Sequence, residues 1–108
     1  MSEGYQAPVV GALYASRDDD GRYRIMKVLA LDASAVHIRI YADRFEQLPT
    51  QVTSSELSLG SLGGPEFGIG HVPVNAKGFG VGLTVVGLEE VREEELDGYR
   101  IWAGLDPI

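Results

Sequence analysis

Three short strand-like segments, separated by turns of a few residues, constrain the fold of this chain more than any other feature. The first, residues 9–16, is almost wholly apolar and ends at a turn that contains three aspartates and Gly21. The second, residues 22–31, begins with alternation and becomes apolar on both faces, as central strands do. The third, residues 35–41, alternates cleanly. Because such short connections only allow antiparallel neighbours, residues 9–41 are predicted to form a three-stranded meander.

The alternation of the third segment assigns its side chains to two faces. One face carries Val36, Ile38 and Ile40, and the other carries His37, Arg39 and Tyr41. The second segment carries the basic residues Arg22, Arg24 and Lys27. Together with the polar face of the third segment, they are predicted to form a basic and aromatic stripe. Such a stripe can bind anions, bases or the carboxylates of a partner. A plain solvent-exposed face is the interpretation we favour.

The second half of the chain is less regular and contains the most site-like single residue. Residues 60–71 are predicted to be a glycine-rich loop, and its glycines lack the spacing of phosphate-binding motifs. His71 ends this loop, where function is common and where histidine titrates near neutral pH. A hydrolase would also need a nucleophile and an orienting acid, for which Ser61 and Glu66 are candidates. A structural histidine bonded to a loop carbonyl is favoured over that alternative.

A further strand is predicted over residues 83–88 and a helix over residues 92–104. Tyr99 and Trp102 are three residues apart and share one face of that helix. Together they either seal the open side of the sheet or form a partner surface.

Composition narrows the class of protein. The 108 residues suffice for one domain, predicted to span the whole chain with a flexible N-terminal segment over residues 1–8. The absence of cysteine excludes disulfides and thiolate sites, and neither a metal nor a cofactor is expected. Without a signal-like start or a membrane-length apolar run, we expect a cytoplasmic protein with no membrane contact.

The net charge of −7 lies mainly in the C-terminal half, where six acidic residues fall within 89–97. That run would repel a phosphate backbone, so nucleic acid is not an expected partner. A solvated face that favours the start of a helix is the preferred interpretation of the run, and a docking surface for a basic protein is the alternative.

Two resemblances follow from these segments. Residues 10–14, 21–24, 27–29 and 36–41 resemble the first strands of small SH3-like or Tudor-like barrels, and a Tudor cage would have to use Tyr14, Tyr23 and Tyr41. Residues 23–25, 68–71 and 95–102 resemble a family of small bacterial proteins of unknown function, which implies a shared fold without an activity.

The sequence therefore predicts an α+β domain, a mainly antiparallel sheet curling into a small SH3-like barrel with a C-terminal helix packed against it. The leading functional hypothesis is a non-enzymatic protein-interaction module, one version being an acidic immunity or inhibitor protein that binds a basic partner. A homo-oligomer is left open. The alternative is a small-ligand-binding or hydrolytic pocket around His71 and the glycine-rich loop. The candidate binding residues are His71, Arg39, His37, Tyr41, Tyr99 and Trp102.

Overall fold

A computed structural model of the chain describes residues 8–60 and 68–104. Its first three strands are β1 (Ala12–Arg17), β2 (Tyr23–Leu31) and β3 (Ala35–Phe45), joined by short turns. They pair antiparallel in the predicted order, with Tyr14 opposite Met26 and Val28 opposite Ile38. The meander is therefore present, and its third strand continues four residues beyond the predicted end at residue 41.

Two further strands extend the sheet at its two sides. β4 (Ile69–Asn75) pairs antiparallel with β3, and β5 (Thr84–Leu88) pairs antiparallel with β1. The strand order is β4-β3-β2-β1-β5, so β4, which contains Pro73, and β5 are the edges of an open sheet in the described part of the chain. An antiparallel α+β domain is thus confirmed, whereas closure into a barrel is not.

The C-terminal helix is shorter than predicted. A 3-10 turn over Glu93–Leu96 leads into α1 (Asp97–Ala103), and Gly104 ends the helix in the left-handed conformation. α1 packs against β4. Among residues 8–60 and 68–104, no helix has the length and apolarity needed to cross a bilayer.

Both faces of the sheet are covered, which explains why β2 is apolar on both sides. On the first face, which we call the Phe79 face, the side chains surround Phe79, whose ring meets Tyr14 edge-on at 5.6 Å between centroids. This cluster comprises Ala12, Tyr14, Val28, Val36, Ile38 and Phe79. The segment over residues 76–82 is a series of turns that carries Phe79 to the core.

The opposite face, which we call the histidine face, carries His37 and Tyr41 of β3. Part of it is an apolar cluster formed by Leu13, Ala15, Ile25, Tyr41, Val52 and Val86. The chain after β3 crosses this side, and the Val52 N–H donates to the Val86 carbonyl of β5 at 2.9 Å. The rest of the face lies beneath the C-terminal segment, where the charged and aromatic side chains meet.

Gly11 marks a point where the C-terminal segment touches the sheet too closely for any side chain. Its φ is +92°, and an added Cβ would lie 2.1 Å from the Glu89 carbonyl oxygen. The Glu89 N–H in turn donates to the Gly11 carbonyl at 3.0 Å.

We therefore predict that Gly11→Ala lowers the free energy of unfolding by more than about 3 kcal/mol, because backbone strain and a steric clash add. Gly82→Ala is the matched control, since Gly82 has a similar φ of +77° but open space around the added Cβ. Urea denaturation of both variants measures the difference. Equal losses would show that the contact with Glu89 contributes nothing.

Candidate functional site

A buried lysine fastens the C-terminal segment to the sheet. Lys27 of β2 is 0% exposed, and its Nζ donates to Glu89 Oε1 at 2.9 Å, Glu95 Oε1 at 3.0 Å and the Glu90 carbonyl at 2.8 Å. An ammonium has three N–H donors, so these three residues supply its hydrogen bonds. A buried charge is tolerated only when it is paired in this way. The 89–95 segment must therefore stay closed over β2.

The two carboxylates are held by backbone groups as well. Glu95, 1% exposed, accepts the Arg92 N–H at 2.8 Å, and Glu89 accepts the N–H and the hydroxyl of Ser54. Burial disfavours ionisation of Glu89, but the hydrogen bonds from Ser54 and Lys27 outweigh it and hold the pKa of this carboxyl below its usual value. The acidic run is thus not simply a solvated face, because two of its six carboxylates point inward.

A hydrogen-bonded chain of three side chains lies on the histidine face beside this cluster. Asp32 Oδ2 lies 2.8 Å from His37 Nε2, and His37 Nδ1 lies 2.9 Å from His71 Nε2. The two imidazole rings are nearly parallel, with an interplanar angle of 10° and centroids 5.1 Å apart. Asp32 is positioned by the β2–β3 turn, where its Oδ1 accepts the N–H groups of Ser34 and Ala35.

The hydrogen-bond partners limit which tautomers the two rings can adopt. Hydrogen bonds from His37, Ser34 and Ala35 lower the pKa of Asp32, so this carboxylate is ionised and accepts from His37 Nε2–H. When His37 donates from Nε2 and carries no proton on Nδ1, that Nδ1 accepts the Nε2–H of His71. Burial and the neighbouring His37 lower the pKa of His71, which favours the neutral ring.

α1 covers the histidine pair with two aromatic rings. Tyr99 and Trp102 meet the His37 ring at centroid distances of 4.6 and 4.5 Å, both at steep angles. Gly98 allows this close approach, because a Cβ at that position would lie 2.6 Å from His71 Cβ. His37 is consequently 0% exposed, although Trp102 itself remains 52% exposed.

Four of the six candidate residues from the sequence meet here, namely His37, His71, Tyr99 and Trp102. Arg39 lies beside them on β3 and donates to the Gly70 carbonyl at 3.2 Å. Tyr41 belongs to the separate apolar cluster, where burial and the Glu95 carboxylate raise its pKa to about 12. His71 lies in β4, so residues 69–71 of the predicted loop are strand. Residues 61–67 of that loop, including Ser61 and Glu66, lie outside the described residues.

Two expectations for the polar face were wrong. It is not solvent-exposed, since His37 and Lys27 are each 0% exposed beneath the C-terminal segment. The stripe is not continuous either, because Arg24 and Lys27 are three positions apart on β2 and so point to opposite faces. Arg22 and Arg24 instead pair with Asp20 and Asp18 of the β1–β2 turn.

Sequence reasoning missed Lys27, Glu95 and Asp32 as members of the site. A signal for Lys27 was present, because it stands among apolar neighbours in a strand buried on both faces and must find a counter-charge. Nothing in the acidic run distinguished Glu95 from its neighbours.

The three side chains are arranged so that they can hold and relay a proton. Three cavities of about 340, 420 and 460 Å³ are lined by residues from positions 17–24 and 42–60, and His71 is not among the described residues that line them. Within residues 8–60 and 68–104, no three His, Cys, Asp or Glu side chains are placed to hold a metal ion.

Replacing Lys27 by methionine should destabilise the protein by about 3–5 kcal/mol, because the buried Glu95 carboxylate loses its counter-charge. Adding Glu95→Gln to that variant should recover part of the loss. Thermal and urea unfolding of the single and double variants measure this, with exposed Lys77→Met as the matched control. A Lys27→Met protein as stable as the control would contradict the role of this ion pair.

Gly98→Ala separates packing from helix propensity. Alanine is the better helix former by about 1 kcal/mol, so propensity alone predicts a more stable α1. The clash with His71 predicts the opposite, a loss of about 1–3 kcal/mol with faster amide exchange across 97–103. Gly104→Ala is the comparison of the opposite kind, since nothing lies within 4 Å of its added Cβ and its loss reflects only backbone strain at the left-handed helix end, with no clash. Slower exchange in Gly98→Ala would contradict the packing.

Comparison with known proteins offers no relative from which an activity can be transferred. No protein-family model, no curated protein and no solved structure matches the chain.

Proposed function

We propose that the protein is a non-enzymatic interaction module that docks a basic protein on the outer side of its C-terminal segment. The observation that carries the proposal is the pairing of carboxylates and exposed apolar groups on this segment. Ile101 is 64% and Trp102 52% exposed, and the other exposed residues of the same segment include Glu90, Glu93, Glu94 and Asp97.

The spacing of these residues supports one continuous surface. Asp97 and Ile101 are four residues apart on α1 and therefore lie on the same face. An apolar centre with a charged rim is the usual anatomy of a protein interface. Single exposed apolar residues are common, but two adjacent ones on a short helix beside several carboxylates favour a docking surface.

The charge of the segment favours one kind of partner, a protein with a basic surface. Residues 89–104 contain six carboxylates and two arginines, and the protein as a whole has a net charge of −7. A partner with a basic surface would be steered toward such a segment and held more weakly at high salt. An acidic immunity or inhibitor protein bound to a basic target is one form that this function takes.

A small-ligand or hydrolytic site at His71 is the second candidate, and the Asp32–His37–His71 chain is the observation that favours it. In that chain His71 has a free Nδ1 lone pair with an oriented histidine behind it, as a general base requires. No nucleophile is in contact with it among the described residues. The interaction role therefore ranks first.

Site-specific photo-crosslinking from position 101 in cells tests the docking surface, with the crosslinker at exposed Val81 of the Gly78–Gly82 turns as control. The captured protein is then purified and its affinity measured by calorimetry. We expect a basic partner whose affinity falls at least tenfold with Ile101→Ser or Glu94→Lys, and again as salt rises. Val81→Ser and Glu46→Lys should leave it unchanged.

Two results would overturn the proposal. The first is a partner without a basic surface. The second is an affinity that responds equally to the α1 variants and to their controls, since that would show that the contact lies elsewhere.

A further inference from the structure

The hydrogen bond between the two histidines depends on how many protons the pair holds. His37 Nδ1 and His71 Nε2 face each other at 2.9 Å, so one of them must donate and the other must accept. With both rings neutral, His71 donates. Whether this hydrogen bond can form therefore depends on the total number of protons on the two rings, and not on the protonation of either ring alone.

One added proton leaves the bond intact. It can reside on His71 Nδ1, or the shared proton can move so that His37 becomes the cation beside the Asp32 carboxylate. A second added proton cannot be accommodated. All four ring nitrogens then carry hydrogen, two N–H groups face each other at 2.9 Å, and two cations share one site.

Breaking the hydrogen bond between His37 and His71 affects α1, because the helix packs tightly against these two side chains. His71 Cβ occupies the space that a side chain at Gly98 would need, and Tyr99 and Trp102 pack on His37. α1 has only seven residues, none of them buried, and is too short to be stable without such packing. A ring that turns or leaves must displace the helix.

The other charged groups at the pair act in known directions. Asp32 from the β2–β3 turn stabilises one cation, and Arg39 of β3 adds positive charge to the same face. From α1, Tyr99 contacts the pair, while Arg100 pairs with Glu93 and Asp97 is exposed. The local charges therefore support a first proton and oppose a second.

We propose that the Asp32–His37–His71 chain is an acid-operated latch, in which a second proton on the histidine pair releases α1 from the sheet and dismantles the docking surface. The release itself is independent of any partner. Only its consequence for docking rests on the function proposed above.

The pH range follows from the direction of the histidine shift. Burial and His37 lower the pKa of His71 below the ordinary histidine value of about 6.5, so the docked state takes up a proton on His71 less readily than a state in which this ring is solvated. Docking is thus fully favoured above that value and weakens as pH falls below it. For uptake of one proton, the ratio of docked to released helix falls about tenfold per pH unit.

Trp102 is the only tryptophan of the chain and reports the release directly. We would titrate the full-length protein from pH 7.5 to 4.5, following the emission maximum of Trp102, the histidine ring resonances and the backbone amide shifts. We expect a red shift and changes across 97–103 that follow the second histidine titration, while the amides of Leu13 and Ile25 stay unchanged.

His71→Gln is the decisive variant, because glutamine keeps an N–H donor toward His37 and cannot take up a proton. It should keep α1 docked to pH 4.5. If α1 stays docked in the wild type over the whole range, the latch is refuted.

Release at the same pH in His71→Gln also refutes it, and assigns the transition to carboxylates such as Glu89 and Glu95, which the variant retains. Should His71→Gln fail to pack at pH 7.5, the wild-type titration decides, since release that does not coincide with the second histidine pKa contradicts the proposal. All these titrations are carried out without a partner protein, so their outcome does not test the docking hypothesis.

Discussion

The buried ammonium of Lys27 is the constraint on which the C-terminal half of the molecule depends. Its three hydrogen bonds all go to residues 62 to 68 positions away in sequence. The sheet supplies the buried charge and the C-terminal segment supplies its acceptors, so each depends on the other for its stability. Contacts of such long range make folding slow relative to a helical protein of this size. They also make the short C-terminal helix a part of the β-sheet domain, since its seven residues have little helical stability alone.

Sequence periodicity predicted the elements whose pattern is local. The alternation over 35–41 correctly separated Val36, Ile38 and Ile40 from His37, Arg39 and Tyr41, because side-chain direction in a strand depends only on parity. Parity could not reveal what covers the second face, since that depends on where a distant segment packs. For this reason His37 was expected in solvent although it lies beneath Tyr99 and Trp102.

The acidic run shows the same limit in another form. Glu95 and its neighbours look alike in sequence, yet Glu95 is a buried counter-ion and Glu94 is 69% exposed at its side chain. The difference arises from the 3-10 turn, which directs the Glu95 carboxylate toward β2 while the carboxylate of the preceding residue, Glu94, points outward. Since the inward carboxylates fix the backbone of the segment, a partner that docked on its outward groups would not have to order that backbone.

Pro73 has a consequence for how copies of the chain can meet. It lies within β4, an edge strand of seven residues, and a proline has no N–H to offer a strand arriving from outside. At the other edge, the carbonyl of Val86 in β5 already accepts the Val52 N–H. Pairing of edge strands from two copies is a common route from an open β-sheet to fibres. In this sheet such pairing is disfavoured, because β4 lacks the N–H donor at Pro73 and the Val86 carbonyl of β5 already accepts a hydrogen bond.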